Sequence, residues 1–217
     1  MNVMKKTPFL LYTILFLVMS SCVSPQYVTN ITTHGKLENL DEKTVTIVGL
    51  DRIFIHDFQK TFNKNFKNNI DFSLQFSVAL AASLYENNVF SEATAEVSQD
   101  WNHMQTIASK KSYLKVEALL NECKTDYIIF VDEFDIRQNV KIEKNNVSNT
   151  NMNSTSSTEL IELKASVTVL NVKTHEPVIE FTIFAEDEIF FFAYSKSMID
   201  VRTKLIKSMV SYLGTFN

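Results

Sequence analysis

Glycine, proline and cysteine are scarce in this chain, and each shortage excludes a class of protein. The 217 residues include only three glycines and three prolines, too few for a β-sandwich with its many tight turns. With glycine only at positions 35, 49 and 214, no glycine-rich loop can cradle a phosphate group. The composition therefore argues against an all-β fold and against phosphate-loop enzymes.

The potential metal-binding residues are few and scattered. The cysteines are Cys22 and Cys123, and neither they nor the histidines have the spacing of a zinc site. Cys123 follows an apolar helical pattern, which predicts a small buried side chain rather than a reactive thiol. We predict no metal and no cofactor. The histidines are His34, His56, His103 and His175.

The N-terminus has the order of an export signal. Lys5 and Lys6 precede an apolar stretch at residues 8–19, and Ser20 and Ser21 follow it. That order is typical of a cleaved signal peptide. The apolar stretch is too short to cross a bilayer as a stable helix. We therefore predict a signal peptide at residues 1–21.

A cysteine stands directly after this segment. Met19-Ser20-Ser21-Cys22 resembles the lipobox at which bacterial lipoproteins are cleaved and acylated, although Met19 replaces the usual Leu or Val. The resemblance implies that Cys22 carries the lipid, for example palmitate, and anchors the chain without spanning the membrane. Cys123 then has no disulfide partner. The alternative is a chance cysteine after an ordinary secretory signal.

The charge balance limits the partners. The chain has 21 basic and 25 acidic side chains, and the predicted signal contains two of the lysines and no acid. An acidic mature protein does not attract nucleic acid or anionic lipids by bulk charge. We predict no nucleic-acid partner and assign membrane attachment to the lipid.

The first half of the chain predicts a tether, a strand and two helices. Residues 22–42 are polar and lack a sustained period, so we expect an extended or mobile tether. The β-branched segment at residues 44–49 predicts a buried strand. Phenylalanines recur every four residues from Phe54 and again from Phe72, which predicts helices at 53–68 and 73–87. Core packing is preferred to an aromatic ligand groove.

The second half predicts a sheet and a last helix. A short strand is expected near residues 89–91, a helix at 112–123 and a strand at 127–142. The polar segment at 144–158 predicts a disordered loop. Alternating patterns around 163–169 and 179–185, separated by a turn at 173–177, predict an antiparallel hairpin.

A helix at 196–213 closes the chain, with Ser195 or Ser197 as N-cap and Gly214 just beyond its end. Its predicted core face consists of Ile199, Leu205, Ile206, Met209 and Leu213. Together these elements predict one α/β (α+β) domain at residues 43–217, with a mixed sheet, a long C-terminal antiparallel hairpin and helices packed on the sheet.

Two short motifs resemble known envelope domains. The strand D-Y-I-I-F-V at 126–131 and the turn N-V-K-T-H-E-P at 171–177 resemble the periplasmic domains of curli-secretion-type lipoproteins, penicillin-binding-protein activators and the TolB amino-terminal domain. His175 stands where those families usually have glycine. The resemblance implies a domain that binds other envelope proteins or assembles with itself. The residues after Cys22 carry no acidic cluster, which favours the periplasmic side of the outer membrane.

One apolar run could be an interaction surface. Residues 189–194 break the alternation of the hairpin, and the candidate patch is Phe190, Phe191, Phe192 and Tyr194. Exposed, such a run would bind a partner. We favour burial under the last helix, because monomers rarely expose so much aromatic area.

The leading interpretation is a noncatalytic binding or assembly lipoprotein. The alternative is a periplasmic hydrolase or small-ligand-binding protein that uses acidic residues at strand ends. No histidine or nucleophile is positioned beside them in the sequence, and we predict no catalytic residue. The acidic residues concerned are Asp132, Glu133, Asp135, Glu186, Asp187 and Glu188.

Overall fold

The structure, a computed structural model, describes residues 28–96, 117–146 and 153–217. It contains strands and helices in mixed order. The strands are β1 (Val28–Thr33), β2 (Thr44–Gly49), β3 (Ile53–Ile55), β4 (Glu92–Glu96), β5 (Tyr127–Asn146), β6 (Asn153–Asn171) and β7 (Glu176–Glu188). The helices are α1 (Gln59–Asn65), α2 (Asn69–Glu86), α3 (Glu117–Glu122) and α4 (Tyr194–Leu213).

The strands form one open mixed sheet. Its order is β1-β7-β6-β5-β2-β4, and β3 pairs with β5 beyond the end of β2. The pairs β2–β4, β2–β5 and β3–β5 are parallel, while β5–β6, β6–β7 and β1–β7 are antiparallel. The predicted fold class is confirmed: a mixed α/β domain with a long antiparallel hairpin and a C-terminal helix.

The main core lies between one face of the sheet and helices α1, α2 and α4. Phe72 contacts Phe62 and Phe134, with ring centroids 5.5 and 5.0 Å apart. Each fully buried large side chain stabilises the fold by about 1.5–3 kcal/mol. The preferred core-packing interpretation of the phenylalanine pattern is confirmed for the buried rings, which are Phe58, Phe62, Phe66, Phe72 and Phe76.

The opposite face carries a smaller cluster. Leu120 of α3 packs there with Ile128 and Leu170, and the partly buried Cys123 packs against the same cluster. Cys123 also contacts the hydroxyl of Thr125 at 3.1 Å. The predicted burial of Cys123 is therefore only partial. Residues 97–116, which include Trp101 and the predicted start of the helix at 112, lie outside the described residues.

The prediction places the start of the first helix too early. Residues 53–55 form β3, and Phe54 is exposed. Phe54 fits the four-residue spacing that begins the predicted helix. Residues 53–55 nevertheless form a strand, because they pair with β5. The join between α1 and α2 falls at Asn68, whose side chain caps α2 by accepting a hydrogen bond from the Asp71 amide at 2.8 Å.

The predicted tether is wrong for residues 28–42. β1 pairs with β7 from Val28 opposite Ile183 to Thr33 opposite Ile179, and Leu37 and Leu40 are buried. The side chains of β1 are largely exposed, so backbone hydrogen bonds hold this edge strand and leave no apolar pattern. Cys22 and the signal segment lie outside the described residues.

The predicted disordered loop at 144–158 is also wrong for most of its length. β5 continues to Asn146 and β6 begins at Asn153, paired with one another. The backbone ladder pairs the peptide groups whatever side chains they carry, so polar composition does not prevent strand formation. Residues 147–152 lie outside the described residues. Likewise the short strand expected at 89–91 begins instead at Glu92, while Val89 and Phe90 are buried.

The β6–β7 turn explains the unusual residue at position 175. His175 has a φ of 58°, in the left-handed region that favours glycine. The side-chain oxygen of Asn171 accepts hydrogen bonds from the amides of Lys173 and Thr174 at 2.9 and 3.2 Å. An asparagine-anchored turn of this kind needs one left-handed residue, and histidine adopts it here.

Helix α4 departs from its predicted ends. Ala193 is the N-cap, so neither Ser195 nor Ser197 caps it. Gly214 has a φ of −62° and leads into a short 3₁₀ helix instead of a left-handed cap. Ile199 is 44% exposed, against its predicted place in the core. The core residues predicted correctly are Leu205, Ile206, Met209 and Leu213.

Gly49 is where α2 comes nearest to the sheet. A Cβ at this position would lie 2.5 Å from the Ser77 hydroxyl and 3.0 Å from the Ser73 carbonyl oxygen. Ser73 also donates a hydrogen bond to the Leu50 carbonyl at 2.6 Å. A side chain at position 49 would push the helix from the strand.

We predict that Gly49→Ala lowers the free energy of unfolding by about 1–3 kcal/mol, because overpacking displaces α2. Urea denaturation measures the change. Gly214→Ala is the matched control, since its Cβ would meet only Val89 at 3.7 Å and its φ suits alanine. Equal stability of the two variants would contradict the argument.

Candidate functional site

An exposed aromatic turn lies between β7 and α4. Phe190 is 61%, Phe191 98% and Phe192 84% exposed, so the favoured interpretation of this run as buried is wrong for these three residues. The flanking Ile189 and Tyr194 pack partly against the core. β7 ends at Glu188 and α4 begins at Tyr194, so the connection crosses the end of the sheet, where the helix does not cover it.

The backbone of this aromatic turn is strained. The Ala193 amide donates to the Phe190 carbonyl at 2.9 Å, and Phe191 and Phe192 have φ values of 46° and 62°. Two successive left-handed residues are the signature of a type I′ turn, which normally uses Asn-Gly. Left-handed backbone costs roughly 1–2 kcal/mol for each ordinary residue. Such an outlier, combined with exposed rings, indicates a functional position.

Hydrogen bonds hold the aromatic turn in place. The Ser197 hydroxyl donates to the Glu188 carbonyl at 3.0 Å, and the Ser197 amide donates to the Ala193 carbonyl at 3.1 Å. The ring of Tyr194 lies 5.9 Å from that of Phe58, which is buried, and 6.3 Å from that of Phe192. The exposed rings therefore project from a fixed base.

A basic cleft adjoins the aromatic turn. It is open, has a volume of about 450 Å³, and lies between the N-terminal part of α4 and helix α1. No carboxylate lines it, and none of its three lysines makes a salt bridge within the part of the chain that the structure describes. We call these residues the lysine cleft. Its lining is Lys60, Thr61, Lys64, Phe192, Ala193, Tyr194, Ser195 and Lys196.

A two-stranded arm extends beyond the same end of the sheet. β7 pairs with β6 only up to Leu160, so residues 140–146 and 153–158 pair only with each other among the described strands. On this arm Val140 is 48% and Ile142 63% exposed. Neither outer edge of the arm pairs with a third strand of the described ranges, and such an edge is a common template for strand addition by another chain.

Asp132 is the residue among the predicted acids whose pKa is clearly raised. It lies at a β-bulge between Val131 and Glu133, and its carboxylate accepts a hydrogen bond from the Thr168 hydroxyl at 2.7 Å. Burial raises the pKa of Asp132 to about 6. A carboxyl group with a raised pKa is a candidate for proton transfer, although structural positions also produce such shifts.

The other acidic residues are engaged with basic partners on the polar face of the sheet. Glu133 lies 3.2 Å from Arg52. Asp135 pairs with Arg137 and lies 3.3 Å from the His56 imidazole. Arg137 also reaches Glu162 at 3.7 Å. The sequence reasoning missed Arg137 and Glu162, which the alternation along β5 and β6 places on this face.

The acids at the end of β7 are also held. Asp187 pairs with Lys204 of α4 at 2.7 Å, and Glu186 accepts a hydrogen bond from the Asn139 side chain at 3.3 Å. The structure therefore ties Asp187 to the terminal helix and Glu186 to the base of the arm.

The potential metal ligands do not converge among the described residues, where no group of three or more such side chains could hold an ion. His34 lies 3.6 Å from Glu180, His56 faces Asp135, and His175 belongs to the β6–β7 turn. His103 lies outside the described residues. None of the helices in the described ranges is both long and apolar enough to cross a bilayer.

Comparison with known proteins finds distant structural likeness only. No protein-family model and no curated protein matches the chain. A PelC dodecamer from Paraburkholderia phytofirmans is 10% identical with a TM-score of 0.45, over 86% of this chain and 97% of that one. A neuraminyllactose-binding hemagglutinin homolog from Helicobacter pylori is 12% identical with a TM-score of 0.40, over 85% and 90%.

Lipoprotein GNA1162 from Neisseria meningitidis is 8% identical with a TM-score of 0.37, over 80% of this chain and 99% of that one. TM-scores this low support no argument about function. The three families that the hairpin motif resembles therefore stay a prediction.

We predict that Asp132→Asn abolishes a pH dependence of stability. The raised pKa means that the folded chain binds more protons than the unfolded chain between about pH 4 and 6, so stability falls as the pH rises through that window. Asparagine keeps an acceptor for Thr168 without the buried charge. At neutral pH the variant should be more stable by up to about 3 kcal/mol.

Chemical denaturation across this pH range measures the slope. Glu176→Gln, at the exposed start of β7, is the control and should keep the wild-type slope. If the free energy of unfolding changed with pH in parallel for the wild type and Asp132→Asn, the pH dependence would belong to another group.

Proposed function

We propose that this protein is a lipid-anchored cell-envelope lipoprotein that acts as a noncatalytic binding or assembly module. The observation that carries the binding role is the polar arm formed by residues 140–146 and 153–158, which extends beyond the sheet and pairs with no third strand among the described residues. An isolated two-stranded ribbon is marginally stable in water. A partner chain that adds a strand would extend the backbone ladder of the arm and stabilise it.

The anchoring part of the proposal depends on the N-terminal sequence. A basic pair, a short apolar stretch and small residues precede Cys22, which is the order of an acylated export signal. Acyl chains on Cys22 would hold the domain at a membrane surface. We place the protein on the periplasmic side of the outer membrane.

The partner is another envelope protein or a second copy of this chain. Strand addition requires mainly main-chain hydrogen bonds, and the side chains that flank them select the partner. The exposed Val140 and Ile142 supply an apolar contact beside the open edge of β5. The charged side chain of Lys141, which is exposed on the arm, would discourage indiscriminate pairing.

A periplasmic hydrolase is the second candidate, and the raised pKa of Asp132 favours it. The ion pairs of the neighbouring acidic residues with Arg52, Arg137 and Lys204 argue against a hydrolase. A general acid or base must reach a bound substrate. Asp132 instead bonds to Thr168 of the adjacent strand, which supports a structural role.

We expect metabolic palmitate labelling of the full chain in cells, and loss of the label in Cys22→Ser. Acylation requires the thiol, so the substituted chain should also leave the membrane fraction. Cys123→Ser is the matched control and should keep both label and membrane attachment. An unlabelled wild-type chain would refute the anchoring proposal.

We expect a photocrosslinking residue at Ile142 to give a discrete adduct in envelope membranes, because a partner strand at the open edge of β5 would lie beside it. The same residue at Tyr85, which is 59% exposed near the end of α2, is the control. The mass of the adduct separates a second copy from another protein. Equal, diffuse labelling from both positions would count against the arm as a binding site.

A further inference from the structure

We propose that the aromatic turn and the lysine cleft rest on the surface of the bilayer to which Cys22 is attached, so that the domain contacts the membrane at two points. This inference depends on the proposed lipid anchor. It assigns the exposed rings of Phe190, Phe191 and Phe192 to the boundary between lipid headgroups and acyl chains.

The first support is the place where the N-terminal chain enters the domain. Val28 is paired with Ile183, and β1 runs antiparallel to β7. The chain before Val28 therefore enters from the end of the sheet toward which β7 runs. Beyond Ile183, β7 continues to Glu188 for about 17 Å, and the aromatic turn follows.

The length of chain before Val28 fits this arrangement. Fully extended, the segment from Cys22 to Val28 spans about 20 Å. A lipid on Cys22 could thus lie level with the aromatic turn without unpairing β1. The anchor and the exposed rings can meet the same surface.

The second support is the shape and chemistry of the aromatic turn. Three adjacent rings project from a base fixed by Ser197 and Tyr194. Apolar side chains on interfacial segments sink about 5–10 Å into the headgroup and acyl boundary. A convex tip of this kind enters a fluid layer readily, whereas a protein partner would have to supply a matching apolar pocket.

The third support is charge complementarity. Lys60, Lys64 and Lys196 line the lysine cleft, and none of the described carboxylates lines it. The whole chain has a formal net charge of −4, so an anionic surface repels most of the domain and attracts the lysine cleft. Each lysine near an anionic membrane strengthens binding by about 1 kcal/mol, or roughly fivefold.

Charge also favours a membrane over a second copy of the chain as the partner of the aromatic turn and the lysine cleft. Three lysines line the cleft beside the rings, and the phenyl rings of another copy would displace their water without supplying an anionic partner. The phosphate groups of lipids suit the lysines, and the acyl chains suit the rings.

A depth measurement on the lipidated full chain tests the proposal. The protein is reconstituted into vesicles of phosphatidylethanolamine and phosphatidylglycerol, in a Cys123→Ser background. A spin label at Phe191→Cys is compared with one at Tyr85→Cys. α2 begins beside Asp51, just past the end of β2, so Tyr85, near its other end, points to the opposite end of the domain.

We expect the label at position 191 to collide more with dissolved oxygen than with a water-soluble nickel chelate, as a label below the phosphates does. The label at 85 should show the reverse preference. Vesicles without phosphatidylglycerol, or the paired change Lys64→Glu and Lys196→Glu, should move the label at 191 outward.

A second variant removes the rings without disturbing the fold. Phe191→Asn combined with Phe192→Gly restores the pair that type I′ turns prefer, so its melting temperature should equal or exceed that of the wild type. In that background a label at Phe190→Cys should lie shallower than in the wild type. A lower melting temperature would mean that the rings pack within the domain, and would overturn the proposal.

The other outcomes are distinguishable. Both labels in water, on protein that stays on the vesicles, would overturn the membrane contact and leave the lipid anchor standing. A label at 191 that both reagents fail to reach, with or without lipid, would overturn it in favour of a protein partner or a second copy. Failure of palmitate labelling at Cys22 refutes the anchor itself.

Discussion

The packing of three helices against one face of a single sheet is the constraint on which the rest of the structure depends. α2 can lie so close to β2 only because Gly49 has no side chain, and the buried rings of Phe72, Phe76 and Phe134 fill the space beside that contact. The aromatic turn lies at an end of the sheet that these helices leave uncovered, and its rings are therefore exposed.

Strand direction then concentrates the unusual features at one end of the domain. β7 runs toward the aromatic turn, β1 enters from that side, and the arm of β5 and β6 extends past it. The other end holds the start of β5 and the last residues of the chain, where the Asn217 side chain donates to the carbonyls of Asn88 and Val89. The domain therefore has one end closed by local hydrogen bonds and another that presents rings, lysines and open strand edges.

The sequence predicted what depends on local periodicity and missed what depends on pairing across the sheet. Alternation along β6 and β7 and the spacing of phenylalanines along α1 and α2 reflect burial, which leaves a pattern. β1 and the arm are held by backbone ladders with polar side chains, so no pattern marks them. The exposure of Phe190, Phe191 and Phe192 was missed because an apolar run has the same sequence pattern whether a helix covers it or begins beside it. The ion pair of Arg137 with Glu162 was missed because it joins neighbouring strands, and its pair with Asp135 on the same strand was missed because the two residues are not adjacent in the sequence.

The entry of the chain through an edge strand also has a mechanical consequence. A pull on the residues before Val28 acts along β1, parallel to the strand, while the hydrogen bonds that join β1 to β7 lie across it. Such a load is in shear, so all the hydrogen bonds of the ladder share it. A strand that is peeled from its end instead loses its hydrogen bonds one at a time. Tension applied from the N-terminal side thus meets its resistance at the sheet margin before it reaches the phenylalanine core.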